Sequence, residues 1–147
     1  MKKFRPLIFF LPVFLLVLFF AFNLRPQAVV QTLTINGQSI SVEVVSATPD
    51  LVRGLSGRES LAQNSGMLFV FPNSQKYGIW MKEMKFPLDI IWLSDDWEVV
   101  YVKEDARPES YPEVFTPTIL SRFVLEVNSG FVKGRGIKVG NRVIFSQ

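Results

Sequence analysis

Leu7 to Phe22 is apolar throughout, and with Asn23 and Leu24 the segment reaches 18 residues with no polar face; it decides how the rest of the chain is organised. A run apolar all round does not suit a surface helix of a small domain. As a helix it would be about 27 Å long at 1.5 Å per residue, close to the roughly 30 Å hydrocarbon core of a bilayer. Pro12 is tolerable there, because neighbouring groups re-satisfy the freed carbonyl. Lys2, Lys3 and Arg5 precede the run and only Arg25 closely follows it. The positive-inside rule then places the N-terminus in the cytoplasm and the body outside. The competing reading, a cleaved signal, needs small residues at a cleavage motif. Ala28 has Pro26 at the required position and Ala21 lies inside the run, so an uncleaved anchor is preferred. The expected organisation is an anchor over residues 1–26, meeting the bilayer through residues 7–24, and an extracytoplasmic β domain over residues 27–147. Signal cleavage would leave that domain secreted or periplasmic.

The basic pI belongs to the anchor. Lys2, Lys3, Arg5 and Arg25 are four of the 16 Lys and Arg, while all 13 Asp and Glu lie in the body. Twelve positive against 13 negative side chains leave the body at about −1, which argues against nucleic-acid binding. The absence of Cys removes disulfides, thiol catalysis and iron–sulfur sites. The absence of His removes the usual general base and the commonest zinc or copper ligand. A carboxylate-bound Ca²⁺ or Mg²⁺ stays open, but no cofactor is expected. A body of about 120 residues can fold on its core alone.

That body reads as short strands. Asn36-Gly37 between two alternating runs signals a hairpin of strands 29–35 and 38–45. Thr48 as cap, Pro49 at the first helical position and Asp50 in the first turn predict a short helix to Leu55. Further strands are expected at Met67–Phe71, Tyr77–Met81, Leu88–Leu93, Glu98–Lys103, Arg122–Val127 and Arg142–Phe145, with a polar loop from Glu104 to Pro117. Asn128 to Gly130 is expected to open a turn that leads into one helical turn. Such spacing predicts a mainly β fold, an antiparallel β-sandwich or partly closed barrel with one or two short helices, behind the membrane helix.

Pairing Tyr77–Met81 with Leu88–Leu93 around a four-residue loop sets Trp80 opposite Asp89. Alternation then gives one apolar face with Tyr77, Ile79, Met81, Leu88, Ile90, Trp92, Val99 and Tyr101. The other face carries Trp80, Asp89, Ile91, Val100 and Val102. A carboxylate amid apolar neighbours is costly unless paired, and Arg53, Arg58 and Lys82 are candidate partners. An indole beside a carboxylate also suits a polar ring, with its apolar face on the indole and its hydroxyls on the carboxylate.

The chain resembles a bacterial and archaeal family known as domain of unknown function 192. The resemblance rests on Arg53-Gly54-Leu55-Ser56-Gly57-Arg58, Gly66-Met67-Leu68-Phe69-Val70-Phe71, Trp80-Met81-Lys82, Pro87-Leu88-Asp89-Ile90-Ile91, Val124-Leu125-Glu126, Gly130 and Gly136-Ile137-Lys138-Val139-Gly140. The family pattern usually has an amide at the position of Glu83 and often Thr at that of Met84. The resemblance implies a jelly-roll-like β fold, often behind a signal or anchor, and no established activity.

Three functions compete. The favoured one is a non-catalytic binding module for a small polar or saccharide-like ligand, lined by Trp80, Asp89, Glu126, Arg53, Arg58 and Lys82. The second is a carboxylate-dependent hydrolase using Asp89 and Glu126, which needs the two carboxyls about 5–9.5 Å apart across one groove. The third is an envelope protein-interaction module. Asp95, Asp96 and Glu98 lack calcium-loop order and read as a solvated hairpin tip. Arg53 and Arg58 suit an anionic group but better suit ion pairs that pin the helix to Asp89 or Glu126. Ser56 and Ser65 have no His to activate them, and Met67, Met81 and Met84 read as packing.

Overall fold

The computed structural model describes residues 29–146. The expected anchor over residues 1–26 lies outside the described residues. Among the described residues no helix is long and apolar enough to cross a membrane.

The fold is mainly β. Strands β1 (Val29–Ile35) and β2 (Gln38–Val45) form the expected hairpin. Asn36 and Gly37 both adopt positive φ, 48° and 74°, as a two-residue type I′ turn demands. Helix α1 (Thr48–Arg53) follows, with Ala47 rather than Thr48 at the cap position and Pro49 in the first turn. It stops one residue later at Gly54, short of the expected Leu55. Then come β3 (Ser65–Gln75), β4 (Ile79–Trp80), β5 (Leu88–Leu93), β6 (Val99–Ala106), β7 (Val114–Phe115), β8 (Ser121–Asn128), α2 (Phe131–Arg135) and β9 (Val143–Ser146). The expected loop from Glu104 to Pro117 therefore holds the end of β6, a 3-10 turn at Pro108–Ser110 and β7.

The main sheet has seven strands in the order β6-β5-β8-β3-β2-β1-β9, and β4 and β7 form a separate two-stranded sheet, so the architecture is the partly closed barrel rather than a sandwich of two large sheets. The sheet curls into a half-barrel. The turn before β6 meets the start of β9, with Val99 N–H donating to Asn141 O at 2.9 Å and Val143 N–H to Trp97 O at 2.8 Å. The pairings are antiparallel except β2–β3, which is parallel. Residues 46–64, carrying α1, make that crossover, and a purely antiparallel reading could not foresee it.

Both faces of the sheet are covered, as its two-sided apolarity requires. Every residue of β5 is buried. Leu33, Ile35, Ile40, Val42, Leu68 and Ile91 pack on the concave side under Phe131 and Val132 of α2. Leu88, Ile90 and Trp92 belong to a second core with Met67, Phe69 and Leu55, beneath α1 and the β4 segment. Trp92 is fully buried, and its indole N–H donates to Tyr77 O at 2.8 Å, tying the β4 approach to β5.

Gly66 marks the tightest part of this frame. Between Val42 of β2 and Val127 of β8, a Cβ there would stand 2.8 Å from Glu126 O and 3.1 Å from Leu125 Cδ1. Gly66→Ala should destabilise the domain by about 1–3 kcal/mol, as overpacking does, because the clash with backbone outweighs the modest gain from losing a flexible glycine. Urea unfolding checks this, and an unchanged or raised midpoint would refute it.

Candidate functional site

The predicted pairing of Trp80 with Asp89 is not what forms. β4 pairs with β7, setting Ile79 against Phe115 and Trp80 against Val114. β5 pairs with β6 and β8 instead. Parity within β5 is as expected: Leu88, Ile90 and Trp92 share one face, and Asp89 and Ile91 the other. A register irregularity between Trp92 and Leu93 puts Trp92 opposite Tyr101 and Leu93 opposite Val99. Val99 therefore joins the concave core rather than the face of Trp92.

Asp89 is fully buried on the concave side. One of its carboxyl oxygens, Oδ1, accepts the backbone N–H of Asp105 at 3.0 Å, and Oδ2 accepts that of Val132 at 2.9 Å. Val132 lies in the first turn of α2, whose N–H groups lack helical partners. Asp89 thus fastens α2 and the end of β6 to β5. Glu126 sits opposite Ile90 and so on the other face of the sheet, whereas Asp89 sits opposite Val127. The two carboxyls therefore do not share one groove.

Glu126 closes the floor of a cavity of about 340 Å³ between α1, β3, β4 and β8. Phe69, Phe71, Tyr77 and Trp80 supply its aromatic walls, and Arg53 also lines it. Phe71 and Tyr77 stack with centroids 3.6 Å apart. The Tyr77 hydroxyl lies 2.7 Å from Asn73 Oδ1, which fixes the ring. Glu126 is 6% exposed, and burial raises its pKa to about 8. Desolvation disfavours the charged form, so at neutral pH the group is mostly a carboxylic acid that can donate and accept.

The Arg53–Arg58 segment builds the roof. Gly54 has φ 50°, and a Cβ on it would meet the Phe69 ring at 3.1 Å and Glu126 Oε2 at 3.9 Å. Glycine lets the backbone approach the cavity floor that closely. Leu55 is buried, and the Ser56 hydroxyl donates to Lys82 O at 2.9 Å. Arg58 turns away and makes a two-pronged pair with Glu43 at 2.6 and 2.7 Å. Those hydrogen bonds hold the Glu43 carboxyl below the ordinary carboxylate range. Arg53, by contrast, makes no ion pair among the described residues. Lys82 is exposed at the rim, with Nζ 6.0 Å from the Trp80 ring centroid.

Of the six candidates, Arg53, Trp80 and Glu126 converge, Lys82 stands beside Trp80, and Asp89 and Arg58 are engaged elsewhere. Phe69, Phe71, Tyr77 and Gly54 were not foreseen as lining. The alternation Met67, Phe69, Phe71 carries their signal, but it becomes readable only once β3 is paired with β8. Asp95 pairs with Ser74 and with Arg122, the latter at 3.2 Å. Among the described residues no three His, Cys, Asp or Glu gather as a metal site would require.

The fold has solved relatives. A protein from Sinorhizobium meliloti 1021, described as a "putative transcription regulator", superposes with a TM-score of 0.77 at 26% identity, covering 82% of this chain and 97% of that one. A protein of unknown function from Novosphingobium aromaticivorans DSM 12444 gives 0.73 at 26% identity, covering 78% and 84%. No curated protein matches the chain. The family model described as DUF192, Uncharacterized ACR, matches residues 31–145.

Proposed function

The chain belongs to the DUF192 family, whose description assigns no activity, and we propose from its own geometry that it is a non-catalytic binding module for a small ring-shaped polar ligand of saccharide-like chemistry. One observation carries this reading: an aromatic-walled cavity with a single buried carboxyl group at its floor. Cavities that are mostly apolar with a few convergent polar groups are the usual form of small-molecule sites. The ring C–H face would lie on Tyr77 and Trp80, and a hydroxyl or amide would exchange hydrogen bonds with Glu126. Arg53 at the rim would meet a polar or anionic substituent. With one carboxyl group lining the cavity and no His or Cys in the chain, the site offers binding without an acid–base pair.

The same proposal places the domain outside the cytoplasmic membrane, tethered by residues 7–24. The regulator description of the Sinorhizobium protein is not extended to this chain, whose body is close to neutral.

The test is titration of the full chain in lipid nanodiscs with glucose, N-acetylglucosamine and inositol, read by saturation-transfer NMR and indole fluorescence. Binding should weaken about tenfold in Trp80→Ala, the scale of losing one aromatic contact, and at least as much in Glu126→Ala, which removes both the donor and the acceptor. Absence of binding by every probe, or binding that ignores both substitutions, would overturn the reading.

A further inference from the structure

We infer that the end of the domain where the chain enters is a membrane-docking surface, and that the bilayer covers its exposed apolar residues. The inference rests on the tethered reading of residues 7–24 and goes beyond it by naming the face that touches lipid.

Five peptide steps separate Leu24 from Val29, so even a fully extended link spans at most about 17 Å. A domain held that close must rest one end near the headgroups. Strand register identifies which end. Val29 pairs with Val44, Val44 with Leu68, and Leu68 with Leu125, so these four residues form one row across the sheet. β1 runs upward from that row, so the link joins its lower end. Ser121 lies four residues below it on β8, about 13 Å at the rise of a strand, and Ile119 and Leu120 precede Ser121. These residues therefore reach about as far as the link can extend.

Part of the surface there is apolar. Ile119, Leu120, Val30, Val52, Val114 and Trp80 are all at least 46% exposed. Trp80 pairs with Val114 and lies edge-on to Tyr111 at 6.2 Å, while Val52 shares the cavity lining with Trp80. Exposed apolar groups clustered in this way call for a covering partner. An indole and a phenol beside aliphatic side chains match the composition of the membrane–water interface. The charges at this end are mixed: Gln75 pairs with Ser121, so Lys76 stands there, and Asp95, next to Asp96, bonds Ser74 and Arg122. Attachment is therefore driven by apolar burial rather than by anionic lipid, and salt should not release it.

The chain has no Cys, so single introduced thiols report cleanly. Leu120→Cys and Ser39→Cys, both at exposed positions and the latter beside the distal β1–β2 turn, are labelled with bimane. Each full chain is then reconstituted into phosphatidylcholine vesicles carrying spin-labelled lipid. The label at position 120 should shift to the blue and be quenched by lipid several-fold more strongly than that at 39, with or without added salt. Failure of the chain to float with the vesicles would refute the tether and the docking surface together. Flotation with equal, water-like emission at both positions would refute the docking surface alone. A blue shift at 120 without lipid quenching would mean that protein, not lipid, covers this end, and would also overturn the inference.

Discussion

Asp89→Ala should cost the domain about 3–5 kcal/mol and lower its melting midpoint by roughly 10–20 °C. The substitution removes the acceptors of two buried backbone donors, the N–H groups of Asp105 and Val132. Each such donor left without a partner costs about 1–3 kcal/mol, because it was stripped of water on folding and receives nothing in return. The loss extends beyond two bonds. Val132 belongs to α2, whose Phe131 and Val132 cap the concave core, so freeing that turn loosens the apolar contacts beneath it. Asp89→Asn should fall between wild type and alanine, since the amide keeps one accepting oxygen and presents its own donors to the other N–H. Thermal and urea unfolding of the three proteins measure the effect. Wild-type midpoints in both variants would show that Asp89 does not hold the fold and would reopen a role for it at a site.

Asp89 also marks where sequence ceased to be a guide. Local signals were legible: Asn36-Gly37 fixed a hairpin to the residue, and the largely apolar run Leu88–Leu93 announced the strand β5. Even the parity of Asp89 along β5 was correct. Its partners were not visible, because backbone N–H groups carry no residue identity and the two in question lie 16 and 43 positions away. The pairing of β4 failed for a related reason. Lys82 to Pro87 has the length of a hairpin loop, and adjacent strands usually pair. Here Trp80 joins Val114 and leaves β5 to β8. The parallel β2–β3 contact, made across a 19-residue crossover, determines which side chains share a face with Glu126. Glu126 stands among the residues expected to line a site, yet the aromatic walls around it depend on long-range pairing that no local pattern encodes.

Glu126 makes the opposite prediction to Asp89, because its substitution should stabilise. Burial raises its pKa from 4.5 to about 8 in the folded domain. Between those values the folded protein holds a proton that the unfolded chain has released, so unfolding becomes easier as pH rises, by about 1.4 kcal/mol per pH unit. The penalty is absent below pH 4.5, grows through neutrality, and levels off above pH 8 at on the order of 4–5 kcal/mol. Glu126→Gln keeps the shape and cannot ionise. It should match wild type near pH 4.5, exceed it by about 3 kcal/mol at pH 7, and exceed it by the full amount at pH 9. The difference between the two proteins isolates this one group. Glu43, Asp95 and Asp105 have lowered pKa values, and their contributions, lost only in acid, cancel in the subtraction. Urea unfolding at pH 5, 7 and 9 supplies the numbers, and a difference independent of pH would mean that the carboxyl group is hydrated or paired in solution. The same titration bears on the ligand. A molecule that accepts a hydrogen bond from the neutral acid must bind less tightly once pH passes 8, whereas a cationic ligand would bind more tightly there. The sign of that change separates an occupant that accepts a hydrogen bond from the acid from one that is cationic.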